Sequence, residues 1–155
     1  MEYEIITRML SAVIFGIIIG IERQWHNCIA GLRTNVLVSI GACLFVLLEG
    51  LSTVDHEPKR IAAQIVSGIG FMGAGVLIKE GLSVRGLDTA ATLWCTAAIG
   101  TLSGYGYDLV AIAGTILVVA INSILRPFAL WIDKHKNYKH LQNVPTIMEA
   151  AKDKI

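Results

Sequence analysis

Three glycines in the stretch from Arg60 to Leu77 have a spacing that could serve nucleotide chemistry. Gly68, Gly70 and Gly73 spell G-x-G-x-x-G, the loop whose backbone closely approaches a dinucleotide pyrophosphate. Such a site needs a preceding strand, a βαβ unit and an acidic residue about twenty positions later. The flanking residues here are apolar over helical lengths, so the glycines indicate a membrane helix whose small residues let another helix approach.

A second group of candidate residues is charged and is predicted to lie at the cytoplasmic ends of helices. Glu22 closes an apolar run that is too short to span, so its carboxylate should lie at or below the headgroups, where an unpaired charge is costly. Pairing with an arginine would offset that cost. We therefore predict a polar network, either structural or part of a partner or ligand site, formed by Glu22, Arg23, Arg33, Arg85 and Asp88. The simpler alternative for Arg85 and Asp88 is an orientation signal and a helix cap.

Gln64 is the deepest polar residue of the glycine-containing stretch. An interhelical hydrogen bond explains it more simply than the lining of a polar cavity. The three cysteines and four histidines show no metal-type spacing and no nucleophile–base arrangement, so no enzyme activity and no cofactor are expected. Glu22 and Glu49 are predicted on opposite membrane faces, which disfavours a carboxylate cage for magnesium but leaves open a carbonyl-lined or oligomeric pathway.

The composition is that of a membrane protein. Of the 155 residues, 54% are hydrophobic and only 16% are charged, against about a quarter charged in a soluble domain. The mean hydropathy is +0.63. A net charge of +1 without a basic stripe gives no indication of a nucleic-acid partner. The chain is therefore predicted to be all-α, a polytopic helix bundle in a lipid bilayer.

Five apolar runs have lengths near the roughly 20 residues that a spanning helix needs. The predicted transmembrane helices cover about residues 5–21, 36–52, 60–78, 89–103 and 109–125. Arg8 falls in the outer third of the first span and Glu49 near the far end of the second. Thr34 or Asn35, Asp88 and Asp108 are the expected N-caps, and Arg126-Pro127 is the expected end of the fifth helix.

Loop charges predict the orientation of these five spans. One side carries the larger set of basic residues: Arg23, Arg33, Lys79, Arg85, Arg126, Lys134, Lys136 and Lys139. The other side carries Lys59 and Arg60, with Arg8 nearby. The N-terminus is therefore predicted outside and the C-terminus in the cytoplasm. Residues 1–132 form the predicted transmembrane domain, and residues 133–155 a polar cytoplasmic tail.

Small residues mark the faces on which these helices are predicted to pack. The candidate packing positions are Gly16, Gly20, Gly68, Gly70, Gly73, Gly75, Gly100 and Gly104. At about 100° per residue, Gly68 and Gly75 share a face, and Gly70 and Gly73 lie on neighbouring sides. The third helix is therefore predicted at the centre of the bundle, and the small-residue faces are predicted to support a homodimer.

Four motifs together resemble a known family. GIERQ at 20–24, AGLRTN at 30–35, RIAAQIVSGIGFMGAGVL at 60–77 and VRGLDTAATLWCTAAIG at 84–100 are similar to the N-terminal membrane domain of the MgtC/SapB family, over about residues 5–130. The longer members continue into a cytoplasmic ACT-like domain that this sequence does not contain, so no function of that domain is expected here.

The resemblance implies a multi-pass protein of the bacterial inner membrane. It also implies a role in magnesium homeostasis under magnesium-limited growth and, in pathogens, in virulence through survival inside host cells. The implied mode of action is regulation without catalysis, through contacts with other inner-membrane proteins such as the F-type ATP synthase or a cation transporter. The competing expectation is a transporter or channel for magnesium ions or protons.

Overall fold

The computed structural model describes residues 2–51, 58–80 and 83–152, without side chains for 58, 59, 80, 83, 129, 130 and 133–152. The elements in chain order are α1 Glu2–Trp25, α2 Leu32–Leu51, α3 Pro58–Gly75, β1 Ile78–Glu80, β2 Ser83–Arg85, α4 Leu87–Gly104 and α5 Asp108–Lys152. The predicted helical architecture is thus confirmed, apart from one short hairpin. The Glu57-Pro58 pair predicts a third helix capped at Glu57, and Glu57 lies outside the described residues.

Within the described residues, three helices are long and apolar enough to cross a membrane. They are α1, α2 and the part of α5 at Asp108–Phe128. The other two, α3 and α4, have 18 residues each, or about 27 Å at 1.5 Å per residue, slightly less than the ~30 Å hydrocarbon core of a bilayer. Three of the five predicted spans therefore have a helix with the length and composition of a membrane crossing.

The connection between α3 and α4 contains the two strands, which corrects the all-α prediction. β1 and β2 pair antiparallel, with Lys79 opposite Val84. The chain then turns at Gly86, whose φ is 94° and at which a Cβ atom would overlap the carbonyl oxygen of Val76. Only glycine fits both requirements. Gly86 is the N-cap of α4, so the cap predicted at Asp88 is wrong; Asp88 lies in the first turn, where a carboxylate favourably meets the positive helix end.

Two other helix ends differ from the prediction. α2 begins at Leu32, so Asn35 lies inside the helix and the cap predicted at Thr34 or Asn35 is wrong. α5 runs past Pro127, the expected end of the fifth helix, to Lys152. Proline removes one backbone hydrogen bond from a helix interior, and the helix here continues despite that loss.

The core lies between α1, α2 and α4, and α4 is the most enclosed helix. Its buried residues are Thr89, Thr92, Leu93, Thr96, Ala97, Ile99, Gly100, Ser103 and Gly104. Leu93 and Ala97 pack with Val38 and Ala42 of α2. Residues 1–119 form one compact unit, and residues 120–155, the remainder of α5 and the chain end, form a second.

Glycines bring the backbones of α2 and α4 close together. A Cβ atom at Gly100 would overlap the carbonyl oxygen of Ser39 and lie 2.8 Å from its Cα atom. A Cβ atom at Gly104 would lie 2.7 Å from the Cβ atom of Val46. Gly16 and Gly20 of α1 similarly face the backbone of α2. Helices approach this closely in membranes when small residues line the crossing.

The prediction that the third helix is central is wrong. Added Cβ atoms at Gly68, Gly70 and Gly75 would have no heavy atom within 4 Å in the described chain, and one at Gly73 would lie 3.6 Å from the Cβ atom of Ala90. Ile69 of α3 is buried in the core, and the partly buried Ile65 packs against it. Glycine spacing identifies a face that permits close approach, but it does not establish that a helix of the same chain fills it.

A Gly100→Ala substitution is expected to destabilise the protein by at least ~1–3 kcal/mol, the usual cost of overpacking, because backbone atoms of α2 must move. The matched control is Gly41→Ala, where an added Cβ atom meets open space and helix propensity favours alanine by about 0.5–1 kcal/mol. Thermal unfolding in detergent should give a clearly lower midpoint for Gly100→Ala only. Equal unfolding midpoints for the two variants would show that α2 and α4 can move apart without loss of stability.

Candidate functional site

Arg23 joins the last turn of α1 to the first turn of α4. Its side chain is only 6% exposed, and its Nη2 donates a hydrogen bond to Oγ1 of Thr89 at 2.8 Å. Its buried Nε has no acceptor among the described residues. Because a buried charge is costly unless it is hydrogen-bonded, the Thr89 hydroxyl is an important partner of this guanidinium.

The remaining members of the predicted network have different environments. Glu22 is nearly covered, with a side chain 9% exposed, and its Oε1 lies 3.6 Å from Nε2 of His26. Arg33, Arg85 and Asp88 are exposed. The structure therefore encloses Glu22 and Arg23 and leaves the other three residues at the surface. His26, which the sequence analysis did not include in the network, contacts Glu22.

Neutral hydrogen bonds connect α1, α2 and α4 between the two ends of the bundle. Asn35 donates from Nδ2 to the carbonyl oxygen of Gly31 at 2.8 Å and accepts at Oδ1 from the Thr96 hydroxyl at 2.9 Å. Ser39 donates from Oγ to the carbonyl oxygen of Ala12 at 2.7 Å. These contacts satisfy buried polar groups and hold the helices together. Because the groups are hydroxyls and amides, the network is better suited to holding the helices in place than to transferring protons.

A cavity of about 320 Å³ opens where α1 begins and α2 and α4 end. We name it the terminal cleft, and its lining residues are Glu4, Ile5, Arg8, Val46, Leu47, Glu49, Gly50, Leu51, Gly104 and Tyr105. Its volume lies at the lower end of the range for small-molecule sites, ~300–1,000 Å³. The cleft therefore combines aliphatic walls with two carboxylates, one guanidinium and one phenol.

Hydrogen bonds fix the polar groups in and beside the terminal cleft. Glu49 accepts a hydrogen bond at Oε2 from the Tyr105 hydroxyl at 3.2 Å. Arg8 donates from Nη1 to the carbonyl oxygen of Gly104 at 3.1 Å, and Ser11 donates to Oδ1 of Asp108 at 2.9 Å. Burial, the negative charge of Glu49 and the hydrogen bond to it together raise the pKa of the Tyr105 phenol above its ordinary value.

Neither end of the bundle resembles a metal centre. The described residues contain no group of three histidine, cysteine, aspartate or glutamate side chains that could hold an ion. Glu22 lies near the end of α1 and Glu49 near the end of α2, at opposite ends of this antiparallel helix pair. Gln64, the predicted intramembrane polar residue, is exposed on α3 and is not among the residues lining the terminal cleft.

The sequence does not predict that Arg8 and Glu49 share one cleft. A signal was present, since both were predicted near the same membrane face. Grouping them with Tyr105 requires knowing that the end of α4 packs between α1 and α2, which the order of helices along the chain does not reveal.

A Thr89→Val substitution is expected to destabilise the protein by ~1–3 kcal/mol, because the buried Arg23 guanidinium loses an acceptor at almost constant side-chain volume. The matched control is Thr101→Val, since in the described part of the chain the Thr101 hydroxyl donates to the carbonyl oxygen of Ala97 within α4. Thermal unfolding should separate the two variants, and Thr89→Ser should restore stability. An unchanged midpoint for Thr89→Val would show that Arg23 has another acceptor.

A Glu49→Gln substitution is expected to lower the pKa of Tyr105, because the carboxylate charge and its hydrogen bond both raise that pKa. The pKa should stay above its ordinary value of about 10, since burial of the phenol remains. A raised pKa favours the neutral phenol in the folded state, so its stabilising contribution is present below pH ~10 and is lost as the pH rises further. The measurement is tyrosinate absorbance against pH, with Tyr105→Phe subtracted; an unchanged pKa would contradict the contact.

Comparison with known proteins agrees with the sequence motifs. Protein MgtC of Brucella abortus is 53% identical over 119 residues, which cover 77% of this chain and 50% of that protein. Protein MgtC of Salmonella typhi is 52% identical over 147 residues, covering 95% of this chain and 59% of that protein. An uncharacterized protein of Synechocystis is 53% identical over 130 residues, covering 84% of this chain and 56% of that protein.

These relatives are longer than the chain described here, which spans 50–59% of their length. No solved structure matches the chain. The model of the MgtC family matches residues 9–131, from the first third of α1 through the apolar part of α5. The chain belongs to the MgtC family.

Proposed function

We propose that this chain is a bacterial inner-membrane protein that acts without catalysis, by helix contacts with other membrane proteins. The observation that carries the proposal is the open face of α3, formed by Gln64, Gly68, Phe71 and Gly75, all of which are exposed. The resemblance to the MgtC/SapB family adds the physiological setting, which is adjustment of magnesium-linked membrane processes and virulence.

The open face of α3 has the chemistry of a helix-docking surface within a bilayer. Its glycines have no heavy atom within 4 Å of an added Cβ atom, so the backbone of another helix can approach closely. Phe71, 86% exposed, adds a large apolar contact. Gln64 offers an amide donor and acceptor, and lipid supplies partners for neither. A helix carrying a complementary polar group satisfies both.

A second copy of this chain suits this face, because a glutamine amide can bond to its own counterpart across a two-fold axis. Other inner-membrane proteins, of which the resemblance names the F-type ATP synthase and cation transporters, suit it when they present a small-residue helix. Both kinds of partner use the same geometry, and identifying them requires a direct test.

The membrane topology is also part of the proposal. We infer five spans, with the N-terminus outside and the C-terminus in the cytoplasm, from the distribution of basic residues between the loops. Thr89, Thr92, Thr96 and Ser103 lower the hydropathy of α4, but all four are buried, and Thr89 and Thr96 bond to Arg23 of α1 and Asn35 of α2. This inward orientation supports α4 as a span despite its polar composition.

A Gly68→Leu substitution is expected to reduce partner recovery several-fold while leaving the fold intact. The added side chain blocks the open face of α3, and its Cβ atom has no heavy atom of the described residues within 4 Å. The measurement is cross-linking in native membranes under low magnesium, followed by purification of the full chain and identification of bound proteins. Gly41→Leu is the matched control, since it also points into open space but lies on α2. Equal recovery with both variants would contradict a contact through α3.

The competing function, a transporter or channel for magnesium ions or protons, is tested with the purified protein alone in proteoliposomes. Saturable flux of either cation that Glu22→Gln abolishes would overturn the regulatory proposal. No flux above protein-free liposomes, together with loss of the partner in Gly68→Leu, supports it.

A further inference from the structure

Arg23 carries a buried positive charge that its contacts within the described chain do not balance. The side chain is only 6% exposed, and its hydrogen-bond partner, the Thr89 hydroxyl, is neutral. Its Nε is enclosed and has no acceptor among the described residues. A buried charge is costly unless it is paired as well as hydrogen-bonded, so this guanidinium is suited to an anion.

The guanidinium lies against the first turn of α4, whose backbone also favours an anion. The first amides of a helix have no acceptor within the helix, and Gly86, the N-cap of α4, makes no side-chain cap for them. The amides of Leu87 and Asp88 are among them, and both residues are exposed, so a ligand can reach this turn from outside. Free amides and the helix dipole favour negative charge at this position.

The negative helix ends at this side of the bundle are already capped by their own chain. At the end of α1, the carbonyl oxygens of Glu22, Arg23 and Gln24 accept hydrogen bonds from amides of the loop that follows. At the end of α3, the carbonyl oxygens of Gly73 and Ala74 accept from the next two amides after the helix. These bonds reduce the negative partial charge of both ends, whereas no side chain caps the positive end of α4.

The charged side chains around the first turn of α4 differ in burial. The Glu22 carboxylate contacts His26, with Oε1 3.6 Å from Nε2. Asp88 lies in the turn itself and opposes an anion, whereas Arg85 precedes the turn and favours one; both side chains are exposed. Water and salt screen exposed charges much more than buried ones. The buried Arg23 therefore has the largest influence on which ligand this turn accepts.

We propose that the first turn of α4, together with Arg23, binds a phosphate group that carries unesterified oxygens. The oxygens are acceptors for the amides of Leu87 and Asp88 and for Nε of Arg23, and their charge balances the guanidinium. Arginine is well matched to phosphate oxygens in geometry and charge. The site uses no residue of the open face of α3, so it can fail or succeed independently of the proposed function.

Two sources can supply such a phosphate group: the headgroup of a phosphomonoester lipid, or inorganic phosphate in solution. The experiment measures thermal unfolding of the full chain in dodecyl maltoside micelles, a detergent that contains no phosphate. One arm adds dioleoylphosphatidic acid, with dioleoylphosphatidylcholine as its control. The other arm adds millimolar inorganic phosphate, with chloride at equal ionic strength as its control. Binding to the folded state alone raises the unfolding midpoint, and we expect an increase of several degrees in at least one arm.

Three variants test which residues bind the phosphate group. Arg23→Gln should remove most of the increase, whereas Arg33→Gln, which removes an exposed cation at the start of α2, should retain it. Asp88→Asn should enlarge the increase, because the carboxylate that opposes the anion is gone. Asp88 is exposed, so this variant keeps the test decisive even if Arg23→Gln fails to fold.

The two arms distinguish the sources of the phosphate group. An increase with phosphatidic acid alone identifies a lipid headgroup, an increase with inorganic phosphate alone identifies the free ion, and an increase in both shows that the phosphate group itself is recognised. The proposal is overturned if neither arm raises the midpoint above its control. It is also overturned if Arg23→Gln retains the full increase, or if Asp88→Asn does not enlarge it.

Discussion

The close approach of α2 and α4 is the constraint on which the rest of the structure depends. At Gly100 and Gly104 no side chain larger than hydrogen fits between the two backbones. This proximity brings the Thr96 hydroxyl within 2.9 Å of Oδ1 of Asn35. It also encloses Ser39, whose hydroxyl donates a hydrogen bond to the Ala12 carbonyl oxygen of α1. In an apolar solvent there is no hydrophobic force between helices, so packing and such hydrogen bonds carry the association.

The position of α4 also determines both polar ends of the bundle. At its first turn Thr89 provides the acceptor for the buried Arg23. At its last residue the carbonyl oxygen of Gly104 accepts from Arg8, and the turn that follows places Tyr105 against Glu49. Each end therefore joins α4 to an arginine of α1. A displacement of α4 along its axis would change both ends together, which gives this enclosed helix a larger effect on the polar groups than α3 has.

The sequence predicted the helical class and the family, because apolar runs and contiguous motifs are local signals. It did not predict the hairpin before α4, since three-residue strands carry no periodicity and their pairing depends on the turn at Gly86. The caps were misjudged at Asn35 and Asp88 for a similar reason: both residue types suit a cap, and only the backbone reveals which position begins the helix. The terminal cleft depends on contacts between residues 56 and 96 positions apart, which local patterns do not encode.

The glycines of α3 destabilise their helix, and packing within the described chain does not offset that loss of stability. Each glycine in a helix interior is less favourable than alanine by about 1 kcal/mol, and α3 contains Gly68, Gly70 and Gly73 within its 18 residues. On α4 the corresponding cost is offset, because Gly100 and Gly104 allow close packing against α2. On α3 an added methyl group at Gly68 or Gly70 would meet no atom of the described chain. A helix from another protein or a second copy would offset this free-energy cost, in keeping with the docking that we propose for the open face of α3.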